Sequence, residues 1–459
     1  MNHNHQVLFV IFGISGDLAK RKLMPALYRL LGQPGMADEF KIIGISRQSN
    51  FGVEDLIQNT LPFIDNPEDT RLNELFGRIT IVHNSLSSLD HLANLRDELE
   101  EHSKQLGNDV VRVYYLSIPP SVFPGLITNM GATGHNNPFY NESERPRVLV
   151  EKPFGFDSAS ALALIKASDK EFGEKQIYRI DHYLAKETAQ NLLAFRFKNA
   201  LFESSWNARH ISQVKIMTHE TIDIEGRAAF YEQTGALRDI IQSHHMQLLG
   251  LTMMAQPESL DSIGIHKAKL DFLKSVTPIA KGDVYKLSAR GQYKGYKLAV
   301  GNMHTLTETF ARLELSSSSE QWKGTKIILE TGKGLDEKTT SIEVTFRPYA
   351  EEAEPNTLVF RLAPTEGITL RLQAKYPGLT DVTEAVTMEF DYDKAFEGGT
   401  SEAYERVIAD AFRGDQTLFA SGDEVMAAWK IVEHVISEWS QSNENMCVYD
   451  LGSSAKDIL

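Results

Sequence analysis

Cysteine is nearly absent from this chain: Cys447 is the only one in 459 residues. An intrachain disulfide is therefore excluded, and so is a metal site built on several thiolates. Basic residues also fall short, with 47 Lys and Arg against 62 Asp and Glu, a formal net charge of −15. A surface that follows a phosphate backbone needs clustered cations, so this balance speaks against a nucleic-acid partner. A phosphorylated small molecule needs only a local basic pocket and stays open. No apolar run reaches the roughly 20 residues of a membrane-spanning helix. The polar start Met1-Asn2-His3-Asn4-His5-Gln6 passes directly into a strand-like segment, leaving no room for a secretory signal. A reducing compartment, most simply the cytoplasm, is the expectation. Internal repeats and low-complexity tracts are missing too.

What is present begins as an alternation of strand-like and helix-like stretches. Val7–Phe12 is a continuous apolar run, the pattern of a strand buried on both faces, and Lys41–Ile45 reads as a second buried strand. Val110–Leu116 and Arg147–Val150 read as two further strands. Between them, Asp17–Leu31 reads as a helix with a kink expected at Pro25. Leu89, Leu92, Leu95 and Leu99 recur at helical spacing, and a third helix runs to Phe172 behind the Asp157-Ser158 cap. Beyond Arg179 the texture changes. Gln213–Met217, Ser341–Phe346, Thr357–Leu362, Ile368–Ala374 and Ala385–Phe390 read as strands, and Ile368–Ala374 alternates so that one face is buried. Glu402–Phe412 and Asp423–Trp439 read as closing helices. The expectation is an α/β domain over residues 1–180 with a parallel, Rossmann-like dinucleotide-binding sheet. An α+β domain over residues 181–459 follows, with a large, mostly antiparallel sheet beside helices.

Gly13-Ile14-Ser15-Gly16-Asp17-Leu18-Ala19 lies between the first strand and its helix. Glycines here allow a tight turn and close backbone approach, so that the helix N-terminus can take up a pyrophosphate. The spacing is G-x-x-G-x-x-A rather than G-x-G-x-x-G, and an ordinary strand-to-helix turn has the same outline. The second strand ends in Gly44-Ile45-Ser46-Arg47. An NAD enzyme would place Asp or Glu there for the ribose hydroxyls, whereas a guanidinium suits a 2′-phosphate. A solvated surface arginine is the plainer alternative. Asp38 and Glu39 precede the strand and so lie at its wrong end.

Two segments carry the candidate chemistry. In Arg179-Ile-Asp-His-Tyr-Leu-Ala-Lys-Glu187, His182 and Lys186 share a face if the segment is helical, and both can then grip one anion. In Arg238–Leu249, Ile240, Ile241, His244, His245, Leu248 and Leu249 fall on one stripe when read as a helix. Two histidines on such a stripe fit a packed, hydrogen-bonded core.

Together these segments resemble the glucose-6-phosphate dehydrogenase family over nearly the whole chain. Gly13–Leu23 is similar to the family's opening G-A-S-G-D-L-A and the basic residues after it. Tyr115–Pro120 and Glu151-Lys-Pro-Phe-Gly155 are similar to family segments at strand ends, and Arg179–Glu187 departs from R-I-D-H-Y-L-G-K-E only at Ala185. The family's D-x-x-Q-N-H-x-x-Q is matched from Asp239 to Gln247, with Ser243 for asparagine and His245 as an added histidine.

The resemblance implies oxidation of D-glucose 6-phosphate at C1 to 6-phospho-D-glucono-1,5-lactone with hydride transfer to NADP, the first step of the oxidative pentose phosphate pathway. It implies cofactor contacts from Gly13, Ser15, Gly16, Asp17, Leu18, Arg47 and Lys152, and a base, His244, held by Asp181. It implies a phosphate grip by His182, Lys186 and Tyr183, with Lys152 near the substrate and Glu220 and Asp239 on sugar hydroxyls. Lys333 and Lys338 come from a segment resembling R-[ST]-G-K-R-L-x-x-K, where Glu330 and Gly334 replace arginines; Ala363 stands where some relatives carry glutamine. A homodimer and a cis Lys152–Pro153 bond are implied as well; no metal is. Two other readings stay open: an NADP-dependent dehydrogenase of another sugar or sugar phosphate, and a non-catalytic NADP-binding sensor.

Overall fold

The structure, a computed structural model, describes residues 6–33, 36, 39–84, 88–107, 109–142, 145–350, 353–396 and 401–459. Asp38 and the first five residues lie outside this range. The chain forms two compact units, one of Met1–Gly155, Ala159–Ala185 and Ser401–Gly422, the other of Phe156–Ser158, Lys186–Thr400 and Asp423–Leu459. A division after residue 180 assigns Ser401–Gly422 to the second domain. The segment instead belongs to the first, where Val407, Ile408, Ala411 and Phe412 of the helix Ala403–Arg413 enter the core.

In the first unit the apolar runs become β1 (Gln6–Phe12), β2 (Phe40–Ser46), β3 (Ile79–His83), β4 (Val110–Leu116), β5 (Arg147–Val150) and β6 (Ile177–Arg179). All pair in parallel, in the order β3-β2-β1-β4-β5-β6, which is the Rossmann order. Successive residues of β1 point to opposite faces: Val7, Phe9 and Ile11 enter one core cluster, Leu8, Val10 and Phe12 the other. Helices cover both faces, so β1 is apolar from Val7 to Phe12. The helix after β1 runs from Asp17 to Leu30 and contains a π turn over Ala19–Leu23. The kink expected at Pro25 takes this form, because proline offers no N–H and its ring crowds the carbonyl one turn back.

In the second unit β7 (Ile211–His219), β8 (Val276–Thr277), β9 (Ser288–Tyr293), β10 (Phe310–Ser317), β11 (Lys326–Gly332), β12 (Thr339–Phe346), β13 (Thr357–Ala363), β14 (Gly367–Lys375), β15 (Thr383–Asp391) and β16 (Met446–Tyr449) form a ten-stranded sheet. Its order is β15-β14-β13-β12-β7-β11-β10-β9-β16, with β8 beside β10. Among the described residues of this sheet, only the β7–β11 and β9–β16 strand pairs run parallel, so it is mixed and mostly antiparallel. On β14, Arg371, Gln373 and Lys375 are exposed and Leu370, Leu372 and Ala374 half-buried, the alternation expected from the sequence. Nearer the centre, Val214, Ile216, Leu313, Leu329 and Ile342 are fully buried. The segment Leu237–His245 packs on β7, β10 and β11. Among the described residues, no helix is long and apolar enough to cross a membrane.

Candidate active site

In the first unit, the chain leaves β1 through Gly13. Its φ is +81°, and an added Cβ would stand 2.2 Å from the Ser117 carbonyl oxygen, so no other residue fits without displacement. Gly16 N–H donates to Gly13 O at 2.9 Å, and the N–H groups of Gly13 and Ile14 donate to Ile45 O at 3.0 and 3.3 Å. The turn is thereby tied to β2. Beside it lies a cavity of about 570 Å³ lined by Gly13, Ser15, Gly16, Arg47, Gln48 and the Ser117–Pro119 stretch after β4. This is the crevice at the carboxyl ends of the strands where the strand order reverses, the place an open parallel sheet keeps for ligands. Arg47 is exposed here and forms no ion pair among the described residues. Asp17 and Leu18 do not line the cavity. The Asp17 carboxylate pairs with Lys20 at 3.1 Å and Arg21 at 3.0 Å along its own helix, and Leu18 packs on the core.

Glu151 and Lys152 follow β5, and the Lys152–Pro153 peptide is cis. The Glu151 carboxylate accepts hydrogen bonds from the hydroxyls of Tyr115 and, at 3.4 Å, Tyr404. Burial pushes its pKa up, against those hydrogen bonds and the Lys152 charge, and the negative charge of Asp181 adds to the rise. The Asp181 segment is a turn rather than the helix its spacing suggested. Asp181 is buried; its Oδ1 accepts Tyr183 N–H at 2.9 Å and its carbonyl accepts Leu184 N–H at 3.1 Å. A side chain that satisfies its own backbone in this way competes with helix formation. The helix therefore starts only at Glu187. The half-buried rings of His182 and Tyr183 lie 5.1 Å apart. Ala185 is buried with an ordinary negative φ, so the turn does not need the glycine usual at this place.

The second unit holds Lys186 and the remaining candidates. Lys186 Nζ lies 3.5 Å from Glu366 Oε1, while Glu366 Oε2 accepts Thr188 N–H at 2.7 Å. Glu366 had no signal in the sequence beyond being a carboxylate in a turn.

The histidine segment belongs to a helical run from Ala228 to Met253 that is irregular: Gly235 interrupts it with φ +62°, and Leu237–His245 is π-helical. A π turn holds more residues than an α turn, so the expected stripe at 3.6 spacing is not the geometry here. All six stripe residues are nevertheless buried. The Ser243 hydroxyl donates to Asp239 O at 2.6 Å, which gives the substituted serine a local role within the turn. His245 Nε2 lies 2.9 Å from the Thr218 hydroxyl on β7, whereas His244 is 1% exposed on the same π turn as Asp239.

Tyr231 marks the centre of another group. The Lys333 ammonium lies 5.5 Å from its ring centre and pairs with Glu220. Burial, then the charges of Asp239, Glu308, Tyr449 and Glu220, push the Tyr231 phenol well above its usual range. Glu220, Asp239 and Lys333 are thus gathered around one ring, while Lys338 lies exposed further along the loop. The two replaced arginines have structural explanations. Gly334 has φ +64°, and a Cβ there would come within 2.4 Å of Leu451 Cδ2. Glu330 is buried against Lys215 at 2.8 Å, His219 at 3.2 Å and Arg312 at 3.5 Å. Burial opposes its ionisation, but the hydrogen bonds and charges of His219 and Lys215 prevail and bring its pKa to about 2. Among the described residues, no cluster of His, Cys, Asp and Glu could hold a metal ion.

A parallel sheet in the Rossmann order, with a glycine turn over a cavity at its switch point, is the architecture of a dinucleotide-binding unit. Known proteins narrow the class. Residues 10–191 match the family described as glucose-6-phosphate dehydrogenase, NAD binding domain, and residues 193–457 match its C-terminal domain. The chain is 36% identical to the glucose-6-phosphate 1-dehydrogenase of Chlamydia pneumoniae, over 97% of this chain and 92% of that one. It is 37% identical to the enzyme of the same name from Gluconobacter oxydans, over 99% and 96%. A solved glucose-6-phosphate dehydrogenase in complex with its substrate glucose-6-phosphate superposes with a TM-score of 0.90 at 31% identity, over 98% of this chain and 95% of that one. The chain belongs to the glucose-6-phosphate dehydrogenase family and is an oxidoreductase of a sugar-phosphate CH–OH group.

Proposed function

We propose that the protein oxidises D-glucose 6-phosphate at C1 to 6-phospho-D-glucono-1,5-lactone with NADP as the oxidant. The observation that carries this reading is the full-length likeness to a solved relative that holds glucose 6-phosphate. The cavity in the first unit fits a dinucleotide: a Cβ would fill the turn at Gly13, and among the described residues no carboxylate lines the walls. Gly13, Ser15 and Gly16 would hold the pyrophosphate against the start of the helix. Arg47 would pair with a 2′-phosphate, which favours NADP over NAD. Lys152 would serve the same cofactor. When bound, NADP supplies the acceptor for the hydride that leaves C1.

The chain's own residues supply the rest. By the resemblance, His244 would be the base that takes the C1 hydroxyl proton onto its imidazole, and Asp181 the carboxylate assigned to it. His182, Tyr183 and Lys186 hold the 6-phosphate, with Lys152 beside the reacting sugar. Glu220 and Asp239 accept hydrogen bonds from sugar hydroxyls, and Lys333 and Lys338 complete the cationic side. By the same resemblance the protein works as a homodimer, and its single cysteine favours a reducing compartment, most simply the cytoplasm. His244→Asn tests the base directly. Turnover should collapse by a factor of about 100 or more while NADP binding, measured by calorimetry, persists. Unchanged turnover would remove His244 from this role.

A further inference from the structure

Glu308 and Thr309 stand just before β10 and belong to none of the roles assigned above. Glu308 is 4% exposed, and its Oε1 accepts the Leu237 N–H at 2.8 Å, at the start of the π turn that carries Asp239 and His244. Its backbone carbonyl accepts the Ala236 N–H at 3.0 Å. A Cβ at Gly235 would stand 2.5 Å from Glu308 Oε1, so the break in the helical run is shaped to admit this carboxylate. The next residue faces elsewhere. Thr309 O accepts Lys333 N–H at 2.9 Å. Its hydroxyl accepts Tyr293 N–H at 2.9 Å and lies 2.7 Å from the Tyr449 hydroxyl, which donates to Lys333 O at 2.7 Å. Each hydroxyl then donates once, in one direction, and both backbone groups of Lys333 are held.

We infer that Glu308 and Thr309 are positioning residues for the reaction, with Glu308 setting the base-bearing π turn and Thr309, through Tyr449, setting Lys333. The inference rests on the functional reading above. One dipeptide thereby fixes the proton acceptor and a sugar-side cation in a common frame, and its two halves act on different kinetic constants. A capping carboxylate moves the group that works in the transition state. A backbone clamp on Lys333 moves a group that binds the ground state as well.

Steady-state kinetics with glucose 6-phosphate and NADP separate the two. Glu308→Ala should lower kcat roughly tenfold or more with the sugar-phosphate KM within about twofold, and Glu308→Gln, whose amide oxygen still accepts the Leu237 N–H, should recover most of the loss. Tyr449→Phe should raise that KM by roughly three- to tenfold with kcat nearly unchanged. Tryptophan fluorescence, which reports on the second unit because all four tryptophans lie there, serves as the control for folding. If Glu308→Ala does not fold, Glu308→Asp, which withdraws the acceptor by one methylene, is read in the same way. An active wild type beside a folded Glu308→Ala with wild-type kcat, or with kcat and KM altered as they are in Tyr449→Phe, overturns the inference alone. A wild type silent on glucose 6-phosphate overturns the functional reading, and this inference with it.

Discussion

Glu424 is fully buried between the helices Gly422–Trp439 and Ser262–Ser275, and its replacement by glutamine has a calculable cost. Lys269 Nζ lies 2.9 Å from one carboxylate oxygen and His266 Nδ1 lies 2.7 Å from the other. Lys269 also donates to Gln247 Oε1 at 2.8 Å, so the network reaches the helical run that carries His244. Burial would raise the Glu424 pKa, but the Lys269 charge and the His266 hydrogen bond outweigh it and bring the value from 4.5 to about 2. At about 1.4 kcal/mol per unit, the difference of 4.5 − 2 is worth roughly 3 kcal/mol of stability at pH 7. Truncating one partner of a buried ion pair costs on the order of 3–5 kcal/mol, which agrees. Because the folded pKa is depressed, this contribution is complete above pH 4.5 and is lost as pH falls toward 2. Urea denaturation followed by tryptophan fluorescence is the suitable assay, since Trp206, Trp322, Trp429 and Trp439, the only tryptophans, all belong to the second unit. Glu424→Gln should lose about 3 kcal/mol at pH 7, and its gap to wild type should narrow on acidification. A gap below about 0.5 kcal/mol at pH 7, or one that widens toward pH 3, would refute the reasoning.

Arg47→Asp should weaken NADP binding by roughly tenfold or more and leave NAD nearly unaffected, because a charge-assisted contact to the 2′-phosphate is replaced by repulsion. Calorimetry showing equal losses for both would make Arg47 merely structural. Gly334→Arg restores the family's residue yet should destabilise the second unit by about 1–3 kcal/mol, since the position combines φ +64° with contact to Leu451; unchanged urea midpoints would contradict this. Ala185→Gly should leave kcat/KM within about twofold, because Ala185 already adopts a negative φ. A large gain in sugar-phosphate affinity would show that the turn is compromised by alanine after all.

The first unit was legible where burial imposes a pattern. Strands β1, β2, β4 and β5 could be read because helices cover both faces of the sheet and make these segments mostly apolar. Three-residue β6 is too short to rise above the background, and edge strand β3 went unread. The return of Ser401–Gly422 to the first unit is a tertiary event with no local signature. Among the candidate residues, the glycine turn and Arg47 could be placed beside one another from the sequence because each follows directly on a strand of the sheet. The helix assumed around Asp181 failed because the carboxylate serves its own turn. The π turn at His244 was invisible, since a periodicity argument assumes 3.6 residues per turn. Glu308 lies 71 residues from Leu237 and Glu366 lies 178 from Thr188. No pattern within either segment announces such partners.

The most direct test of the central claim is reduction of NADP by the purified protein, followed as NADPH absorbance, with glucose 6-phosphate and glucose supplied in parallel. Turnover with the phosphorylated sugar and none with glucose is the predicted result. Turnover with glucose and none with its 6-phosphate would contradict the phosphate grip assigned to His182, Tyr183 and Lys186, and silence with both would contradict the catalytic account as a whole.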